Sequence, residues 1–265
     1  MESRAFADPI FRGIDTVVSV GVFDGLHQGH LRVIDRTVAL ARENGWQSVV
    51  VTFSENPKMA RGSQGRLPGL LSPATFEEML SDRGVNFHCV IDFSDDMSKL
   101  SGEEFIALLC TSYRVRAMVV GDSFRAGRPP LQVGPSEIEK LIRKYTSSAY
   151  LRVLPPVVMD DEVVSSSAIR RCLLTGDLGK ASRLLGRAYS LDLRGASVEE
   201  QSESSQKRLF DVRTLGLLLP KAGEYVVEAT AEGRTFRTKA FVSENHLALE
   251  LPVRTVPDGI TFLGA

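Results

Sequence analysis

Two histidines carry the clearest chemical signal in this sequence. They are His27 and His30, in a His-Gln-Gly-His run that follows the β-branched segment 16–20. If a helix begins at this run, its first N–H groups and its dipole attract an anion, and Gly29, without a Cβ, lets that anion approach the backbone. Imidazole N–H groups also donate hydrogen bonds to phosphate oxygens, more strongly when protonated. The run therefore predicts a phosphate site, against the alternative of two surface histidines at a helix start.

A second candidate cluster consists of three serines that are followed by an arginine. Ser165, Ser166 and Ser167 can cap a helix N-terminus and offer hydroxyl donors. Arg170 would lie about one turn into that helix, where its guanidinium suits bidentate binding of phosphate. By itself this pattern is also typical of an ordinary helix cap beside a solvated arginine. Together with the two histidines it predicts a second phosphate clamp.

The elements that must position these groups are indicated by hydrophobic periodicity. Nearly continuous apolar runs recur about every thirty residues, at 16–20, 48–53, 89–91, 117–120 and 151–154. Strands covered on both faces have this pattern, and helical patterns occupy the intervals between them. The sequence predicts an α/β fold with a Rossmann-like, doubly wound parallel sheet, in which ligands bind beyond the carboxyl ends of the strands.

Capping signals predict three helix boundaries. Asn44-Gly45 is a typical helix stop, and Ser72-Pro73 is a typical start with proline in the first turn. Ser101 and Glu104 have the spacing of a capping box, so a further helix should begin there.

The character of the sequence changes after about residue 190. Residues 197–207 are polar and rich in Ser, Glu and Gln, which predicts a mobile loop. Short alternating segments at 224–228, 235–241 and 246–251 are typical of a small antiparallel sheet or incomplete barrel. We therefore predict two domains, 1–189 and 190–265.

Composition excludes several classes of function. The chain has 265 residues, 43% of them hydrophobic, and a net charge of -1, which argues against broad electrostatic binding to nucleic acid or anionic membrane. No apolar stretch approaches the roughly 20 residues that span a bilayer, and no signal-peptide core follows Met1. Cys89, Cys110 and Cys172 lack ligand-like spacing, so buried free thiols are expected. The sequence predicts a cytoplasmic protein that binds small-molecule nucleotides and leaves its oligomeric state open.

Five motifs, in the same order, resemble those of the His-x-Gly-His nucleotidyltransferases and, within them, the bacterial FAD synthetase family. They are Gly-Val-Phe-Asp-Gly-Leu-His-Gln-Gly-His at 21–30, Val-Val-Thr-Phe at 50–53, Val-Val-Gly-Asp-Ser-Phe-Arg-Ala-Gly at 119–127, Val-Ser-Ser-Ser-Ala-Ile-Arg at 164–170 and Leu-Leu-Gly-Arg-Ala-Tyr at 184–189. The resemblance covers about residues 15–190. It implies an FMN adenylyltransferase that joins FMN to the AMP part of Mg-ATP, giving FAD and pyrophosphate.

The resemblance also implies roles for individual residues. His27, His30 and Arg170 would carry the chemistry at the phosphates. Apart from the resemblance, Arg187 after Gly186 fits a surface charge as well as an interdomain contact. Asp24 would order either the loop or the nucleotide. The full set implied for ATP is Gly21, Phe23, Asp24, Gly29, Ser165, Ser166 and Ser167, and that for the flavin is Phe53, Asn56, Asp122, Ser123 and Phe124. Mg²⁺ would bridge the ATP phosphates, and no protein ligand for it is predicted.

The sequence departs from the family pattern on the presumed flavin side. Asn56 lies in Phe-Ser-Glu-Asn-Pro, where the family usually has Phe-x-Pro-His-Pro, so a hydrogen bond is kept but a charge is lost. Phe76 stands where a lysine is usual, Ser123 where Asn or Asp is common, and Ala126 where an aromatic is frequent. These departures leave two alternatives: adenylyl transfer to another phosphorylated acceptor, or a non-catalytic flavin or nucleotide sensor.

The C-terminal region departs further. In this family it is a riboflavin kinase barrel, whose Gly-Phe-Pro-Thr-Ala-Asn motif does not occur after residue 190, although 219–227 resembles the strand entry that follows that motif. We therefore predict a degenerate kinase-like domain without kinase activity, with an unrelated small β appendage as the alternative.

Overall fold

The structure is a computed structural model of the chain. It describes residues 1–6, 11, 13–54, 67–92, 95–199, 207–251 and 255–264. Contacts within the chain divide it into two units. The first unit comprises Met1–Phe23, Gly29–Arg66 and Glu77–Val157, and the second comprises Asp24–Gln28, Leu67–Phe76 and Val158–Ala265.

The first unit is built on a six-stranded sheet. Its strands are β1 (Glu2–Ala5), β2 (Asp15–Val20), β3 (Gln47–Phe53), β4 (Phe87–Ile91), β5 (Arg114–Gly121) and β6 (Tyr150–Leu154). The order is β1-β4-β3-β2-β5-β6, and each neighbouring pair is parallel. The order reverses at β2, so the carboxyl end of β2 lies at the switch point where such sheets bind ligands. The predicted Rossmann-like α/β fold is confirmed.

Seven α-helices connect the strands of the described chain. They are α1 (Gln28–Asn44), α2 (Pro73–Asp82), α3 (Asp95–Lys99), α4 (Gly102–Ser112), α5 (Pro135–Tyr145), α6 (Ser166–Thr175) and α7 (Leu178–Leu185). The three predicted boundaries are confirmed: α1 ends before Gly45 at φ 69°, and α2 begins at Pro73. At α4, Glu104 N donates to Ser101 Oγ at 3.2 Å while Ser101 N donates to Glu104 Oε2 at 2.7 Å.

The core of the first unit explains the continuous apolar runs. Strands β2 and β3 are buried at nearly every position, which requires cover on both faces of the sheet. Val18 and Val20 belong to one buried cluster with Ile106 of α4 and Ile138 of α5. Because β2 is held in this way, the loop that leaves its carboxyl end starts from a rigid base.

The second unit contains a hairpin, helices α6 and α7, and an antiparallel sheet. The hairpin pairs β7 (Val158–Met159) with β8 (Glu162–Val163). The sheet strands are β9 (Ser190–Asp192), β10 (Ser197–Glu199), β11 (Lys207–Asp211), β12 (Gly223–Ala231), β13 (Arg234–Val242), β14 (His246–Glu250) and β15 (Gly259–Phe262). They are ordered β10-β11-β14-β13-β12-β15-β9, which confirms the predicted C-terminal β sheet.

One predicted loop is partly wrong. Residues 197–199 form β10 and pair antiparallel with β11, because the backbone finds hydrogen-bond partners there despite its polar side chains. Residues 200–206 of the predicted loop lie outside the described residues.

The contacts group residues 158–189 with the C-terminal sheet. This grouping describes contacts within the folded chain, whereas a domain is defined by its ability to fold alone. The domain boundary at residue 189 therefore stays a prediction. Within the described chain, no helix combines the length and apolar character needed to cross a bilayer.

Candidate active site

The loop between β2 and α1 has an unusual backbone. Phe23 and Leu26 have φ values of 49° and 40°, and Gly25 has 80°. A left-handed φ is unfavourable for residues with a Cβ, so surrounding contacts must hold this conformation. Phe23 and Leu26 are only 4% and 0% exposed, and burial of these two apolar side chains offsets the backbone cost.

Side chains from α6 and from the turn after α7 hold the carbonyl groups of this loop. Ser166 Oγ donates to the Asp24 carbonyl at 2.9 Å. Arg187 Nη2 donates to the Gly25 carbonyl at 2.7 Å, and its Nη1 donates to the Leu26 carbonyl at 3.0 Å. From the sequence, Arg187 fitted a surface charge as well as an interdomain contact. Its position in the Leu-Leu-Gly-Arg-Ala-Tyr motif was the feature that could have indicated a role at the site. The structure assigns it to the loop that precedes His27.

Arg170 is ion-paired with Asp24. Its Nη2 donates to Asp24 Oδ2 at 2.6 Å and its Nη1 donates to the Pro68 carbonyl at 2.5 Å, while Leu70 N donates to Asp24 Oδ1 at 2.9 Å. Both charged side chains are 18% exposed. Removing one member would leave the other poorly solvated and unpaired. Asp24 therefore orders the loop in this structure, and the phosphate contact predicted for Arg170 stays a prediction.

The three serines form the N-terminus of α6 with distinct local roles. Ser165 is the N-cap, and its Oγ accepts a hydrogen bond from Ala168 N at 3.2 Å. Ser166 contacts the Asp24 carbonyl, and Ser167 is exposed. A hydroxyl that accepts one hydrogen bond still has a hydrogen to donate, so capping leaves Ser165 able to bind an anion.

His27 is buried and neutral near pH 7. It is 5% exposed, and burial is the main reason that its pKa falls from 6.5 to about 4. The positive charge of Arg187 lowers this pKa further, while Asp24 and a backbone hydrogen bond of His27 itself raise it. A hydrogen bond from His27 to phosphate would therefore come from a neutral imidazole N–H, a weaker donor than the cation considered from the sequence.

The low pKa of His27 predicts a loss of stability in acid. Because the folded protein binds this proton more weakly than the unfolded chain does, the contribution is complete above pH 6.5 and is lost as the pH falls toward 4. At about 1.4 kcal/mol per pKa unit the difference is about 3 kcal/mol. His27→Gln should flatten the pH dependence of the unfolding free energy, measured with urea between pH 4 and 7. His88, whose pKa is also lowered by burial, is present in both proteins, so equal slopes would contradict the prediction.

His30 lies in the first turn of α1 and packs on the loop. Its ring meets the Phe23 ring edge to face, with centroids 5.3 Å apart and an interplanar angle of 89°. A Cβ at Gly21 would lie 3.0 Å from the Phe23 ring, so the glycine leaves room for that ring. Gly29 precedes His30 within the same helical turn. The first unit thus places Gly21, Phe23, Gly29 and His30 at the carboxyl end of β2.

A cavity of about 700 Å³ lies in the first unit. Three residues assigned to the flavin from the resemblance line it, namely Phe53, Ser123 and Phe124. Asp122 is not part of the lining, and its N–H donates to the Leu154 carbonyl at 3.1 Å. Asn56 lies outside the described residues. Gly21, which the resemblance assigned to ATP, also lines the cavity, and sequence reasoning gave no site role to Val22, Met97, Leu100, Phe105, Arg125 and Pro129.

The wall formed by residues 123–132 is anchored to the start of α4. Arg128 N donates to the Leu100 carbonyl at 2.9 Å, and Gly102 N donates to the Leu131 carbonyl at 2.8 Å. Gly127, at φ 89°, lies so close to α4 that a Cβ would come within 2.1 Å of Gly102 N. These contacts preform the cavity, as is usual for sites that bind small molecules.

The central β2 followed by a His-x-Gly-His helix start is the arrangement that the resemblance to the Rossmann-like nucleotidyltransferases implied. A family model for FAD synthetase matches residues 12–168. The match spans more than half of the chain, and the chain belongs to the FAD synthetase family. The predicted family and the predicted transferase class are thereby confirmed.

Two curated relatives and one solved structure illustrate the similarity. The bifunctional riboflavin kinase/FMN adenylyltransferase of Listeria monocytogenes is 25% identical over 234 residues, which cover 88% of this chain and 73% of the relative. A FAD synthetase from the same organism is 26% identical over 176 residues, covering 65% and 69%. The crystal structure of a protein from Streptococcus pneumoniae called a macrolide-efflux protein matches with a TM-score of 0.84 and 23% identity, over 99% of this chain and 89% of that one. That last likeness shows the fold.

Proposed function

We propose that this enzyme transfers AMP from ATP to FMN, giving FAD and pyrophosphate. The cavity of the first unit is the observation that carries the choice of acceptor. Its volume of about 700 Å³ suits a tricyclic ring, and its wall includes the aromatic side chains of Phe53, Phe105 and Phe124. A flat, largely apolar isoalloxazine gains more from such walls than the smaller or more polar acceptors used by other nucleotidyltransferases.

The reaction requires positioning and charge neutralisation. A terminal phosphate oxygen of FMN attacks the α-phosphorus of ATP, the bond from that phosphorus to the bridging oxygen of the β-phosphate breaks, and pyrophosphate leaves. We assign His27, as a neutral donor, and His30 to phosphate oxygens, with Gly29 allowing close approach to the backbone. Neither histidine needs to form a covalent bond in this scheme.

The N-terminus of α6 is proposed to hold the leaving end of ATP. Ser165, Ser166 and Ser167 lie at a helix terminus that favours negative charge. Ser165 and Ser167 would donate their hydroxyl groups to phosphate, while Ser166, whose hydroxyl hydrogen is donated to the Asp24 carbonyl, would hold the loop beside the ATP. Arg170 has five N–H groups, and its hydrogen bonds to Asp24 and Pro68 use one on each terminal nitrogen. The proposal is that the remaining groups contact phosphate while the Asp24 pair keeps the guanidinium in place.

Mg²⁺ is proposed to enter with ATP. Within the described ranges, no cluster of three or more His, Cys, Asp or Glu side chains could hold a metal ion. The Asp24 carboxylate already accepts hydrogen bonds from Arg170 and Leu70. These residues fit an ion that is held mainly by phosphates and water, the usual arrangement for Mg²⁺ in nucleotide sites. When bound, the ion would neutralise charge on the pyrophosphate leaving group.

Residues 190–265 are proposed to be a degenerate riboflavin-kinase-like domain without kinase activity, next to an adenylyltransferase domain of residues 1–189. The seven-stranded antiparallel sheet supports the kinship, and the missing Gly-Phe-Pro-Thr-Ala-Asn motif supports the loss of activity. A cytoplasmic location and the absence of nucleic-acid partners stay predictions from composition.

Product analysis tests the proposal directly. The protein is incubated with Mg-ATP and either FMN or riboflavin, and flavins are separated by chromatography while pyrophosphate is quantified. FAD from FMN, with no FMN from riboflavin, is the expected result. Pyrophosphate release with pantetheine phosphate, nicotinate mononucleotide or glycerol phosphate instead of FMN would identify another acceptor. Tight flavin binding without turnover at high ATP would identify a sensor.

Filling the cavity should weaken flavin binding. Ser123 is exposed at the cavity wall, so Ser123→Trp places a large ring in the space proposed for the isoalloxazine. We expect the Kd for FMN, measured by quenching of flavin fluorescence, to rise about 10-fold or more. Ser136→Trp is the matched control, because Ser136 is also exposed but does not line the cavity. Equal Kd values for the two variants would contradict the assignment of the flavin site to this cavity.

A further inference from the structure

We propose that Arg187 is a positioning residue for adenylyl transfer, which orients the peptide groups between Gly25 and His27 for phosphate binding. The inference rests on the proposed function and concerns a residue outside the His-x-Gly-His and serine clusters. Arg187 does not itself contact the phosphates in this proposal. It acts through the backbone of the loop that leads into α1.

Arg187 fixes the orientation of two successive peptide groups through their carbonyl oxygens. Arg187 donates to the carbonyl groups of Gly25 and Leu26 with two nitrogens of one guanidinium. In a trans peptide the N–H of the next residue points opposite to the carbonyl. The N–H groups of Leu26 and His27 therefore both point away from Arg187. Consecutive N–H groups directed to one side form an anion-binding concavity, which a phosphate needs.

Backbone strain makes this side chain necessary. Leu26 holds a φ of 40°, an unfavourable value that persists only when neighbouring groups determine it. The fork-shaped guanidinium matches two successive carbonyl oxygens, whereas a lysine ammonium supplies the same charge without that fork. Without the two hydrogen bonds, the peptide groups of residues 25–27 can rotate toward ordinary conformations and carry their N–H groups off target.

The chain on both sides of Arg187 is anchored, so its side chain has a defined origin. Gly186 ends α7 at φ 78°, and a Cβ there would lie 2.9 Å from Cγ of Gln28, the first residue of α1. On the other side, Tyr189 is buried, and its hydroxyl donates to the Leu218 carbonyl at 2.6 Å. The turn after α7 is thus packed against Gln28.

Arg187 also acts on His27 through its charge. The guanidinium adds to burial in lowering the pKa of His27, and this helps to keep the ring neutral. A purely electrostatic role and a positioning role therefore make different predictions. The charge is retained when arginine is replaced by lysine, but the paired hydrogen bonds are not.

The experiment compares Arg187→Ala and Arg187→Lys with Arg183→Ala. Arg183 is a matched control, because its exposed side chain pairs with Asp160 in the same unit and lies outside the loop. We expect kcat for FAD formation to fall about 30-fold in Arg187→Ala and about 10-fold in Arg187→Lys, with the KM for FMN unchanged within about twofold. Titration of His27 by NMR should show a raised pKa in Arg187→Ala and an unchanged one in Arg187→Lys.

Several outcomes would overturn the proposal. Full kcat in Arg187→Lys would show that only the charge matters, and equal kcat in Arg187→Ala and Arg183→Ala would show no role in positioning. If Arg187→Ala does not fold, judged by thermal unfolding and by FMN binding, the lysine variant decides. Wild-type protein that makes no FAD contradicts the proposed function instead. In that case the Kd for Mg-ATP by calorimetry still tests the loop, with a rise of about 10-fold in Arg187→Ala as the expected result.

Discussion

Replacing His30 by alanine is expected to lower the turnover of FMN and ATP to FAD about 100-fold or more, by analogy with the loss of one transition-state donor. The imidazole lies in the first turn of α1, where the helix dipole and the N–H groups already favour negative charge. Alanine favours the helix, and the Phe23 ring would lose an edge-to-face neighbour worth about 1 kcal/mol. Turnover should therefore fall while the fold remains.

The matched control for this prediction is His246→Ala. His246 begins β14 of the C-terminal sheet, so the same chemical change is made far along the chain from α1. Steady-state kinetics with FMN and Mg-ATP, together with circular dichroism of both variants, provide the measurement. Normal turnover in His30→Ala, or an equal loss of turnover in His246→Ala, would contradict a role of His30 in the reaction.

Replacing Gly127 by alanine is expected to destabilise the protein by about 3 kcal/mol or more and to abolish flavin binding. The new Cβ would lie 2.1 Å from Gly102 N and 2.5 Å from the Ser101 carbonyl carbon, both of them backbone atoms. Relief requires moving either the start of α4 or the cavity wall. A φ of 89° adds strain that any residue with a Cβ would suffer.

Gly121→Ala is the control for that variant. Gly121 ends β5 just before the same wall, has open space where a Cβ would be, and has no positive φ. The unfolding free energy of Gly121→Ala, from urea denaturation, should stay within about 1 kcal/mol of wild type. Similar values for the two variants would show that the wall yields easily, in conflict with a preformed cavity.

Strand β1 could not be predicted from hydrophobic periodicity. The other five strands were predicted from continuous apolar runs, but Glu2–Ala5 contains Glu, Ser and Arg and has no such run. Among the described strands it lies at the sheet edge and pairs with β4 alone, so its side chains are not required to be apolar on both faces. The pairing is made across more than eighty residues of sequence, as in Glu2 with Phe87, and no local pattern encodes it.

The sequence by itself determined what depends on neighbours along the chain. Helix starts at Ser72-Pro73, Ser101 and Ser165, and the stop at Gly45, rest on hydrogen bonds within about four residues, which is why capping patterns predicted them. The His-x-Gly-His motif likewise indicated a helix N-terminus after β2. Motif order then indicated the family.

Only the tertiary structure decided how the charged groups are used. Arg170 meets Asp24 across 146 residues, and Arg187 meets the Leu26 carbonyl across 161. The neutral state of His27 depends chiefly on burial, and burial is a property of the assembled chain. Partners so distant in sequence are brought together by packing of the whole unit, so residue types and local spacing indicated which side chains carry the phosphate chemistry but not which acceptors orient them.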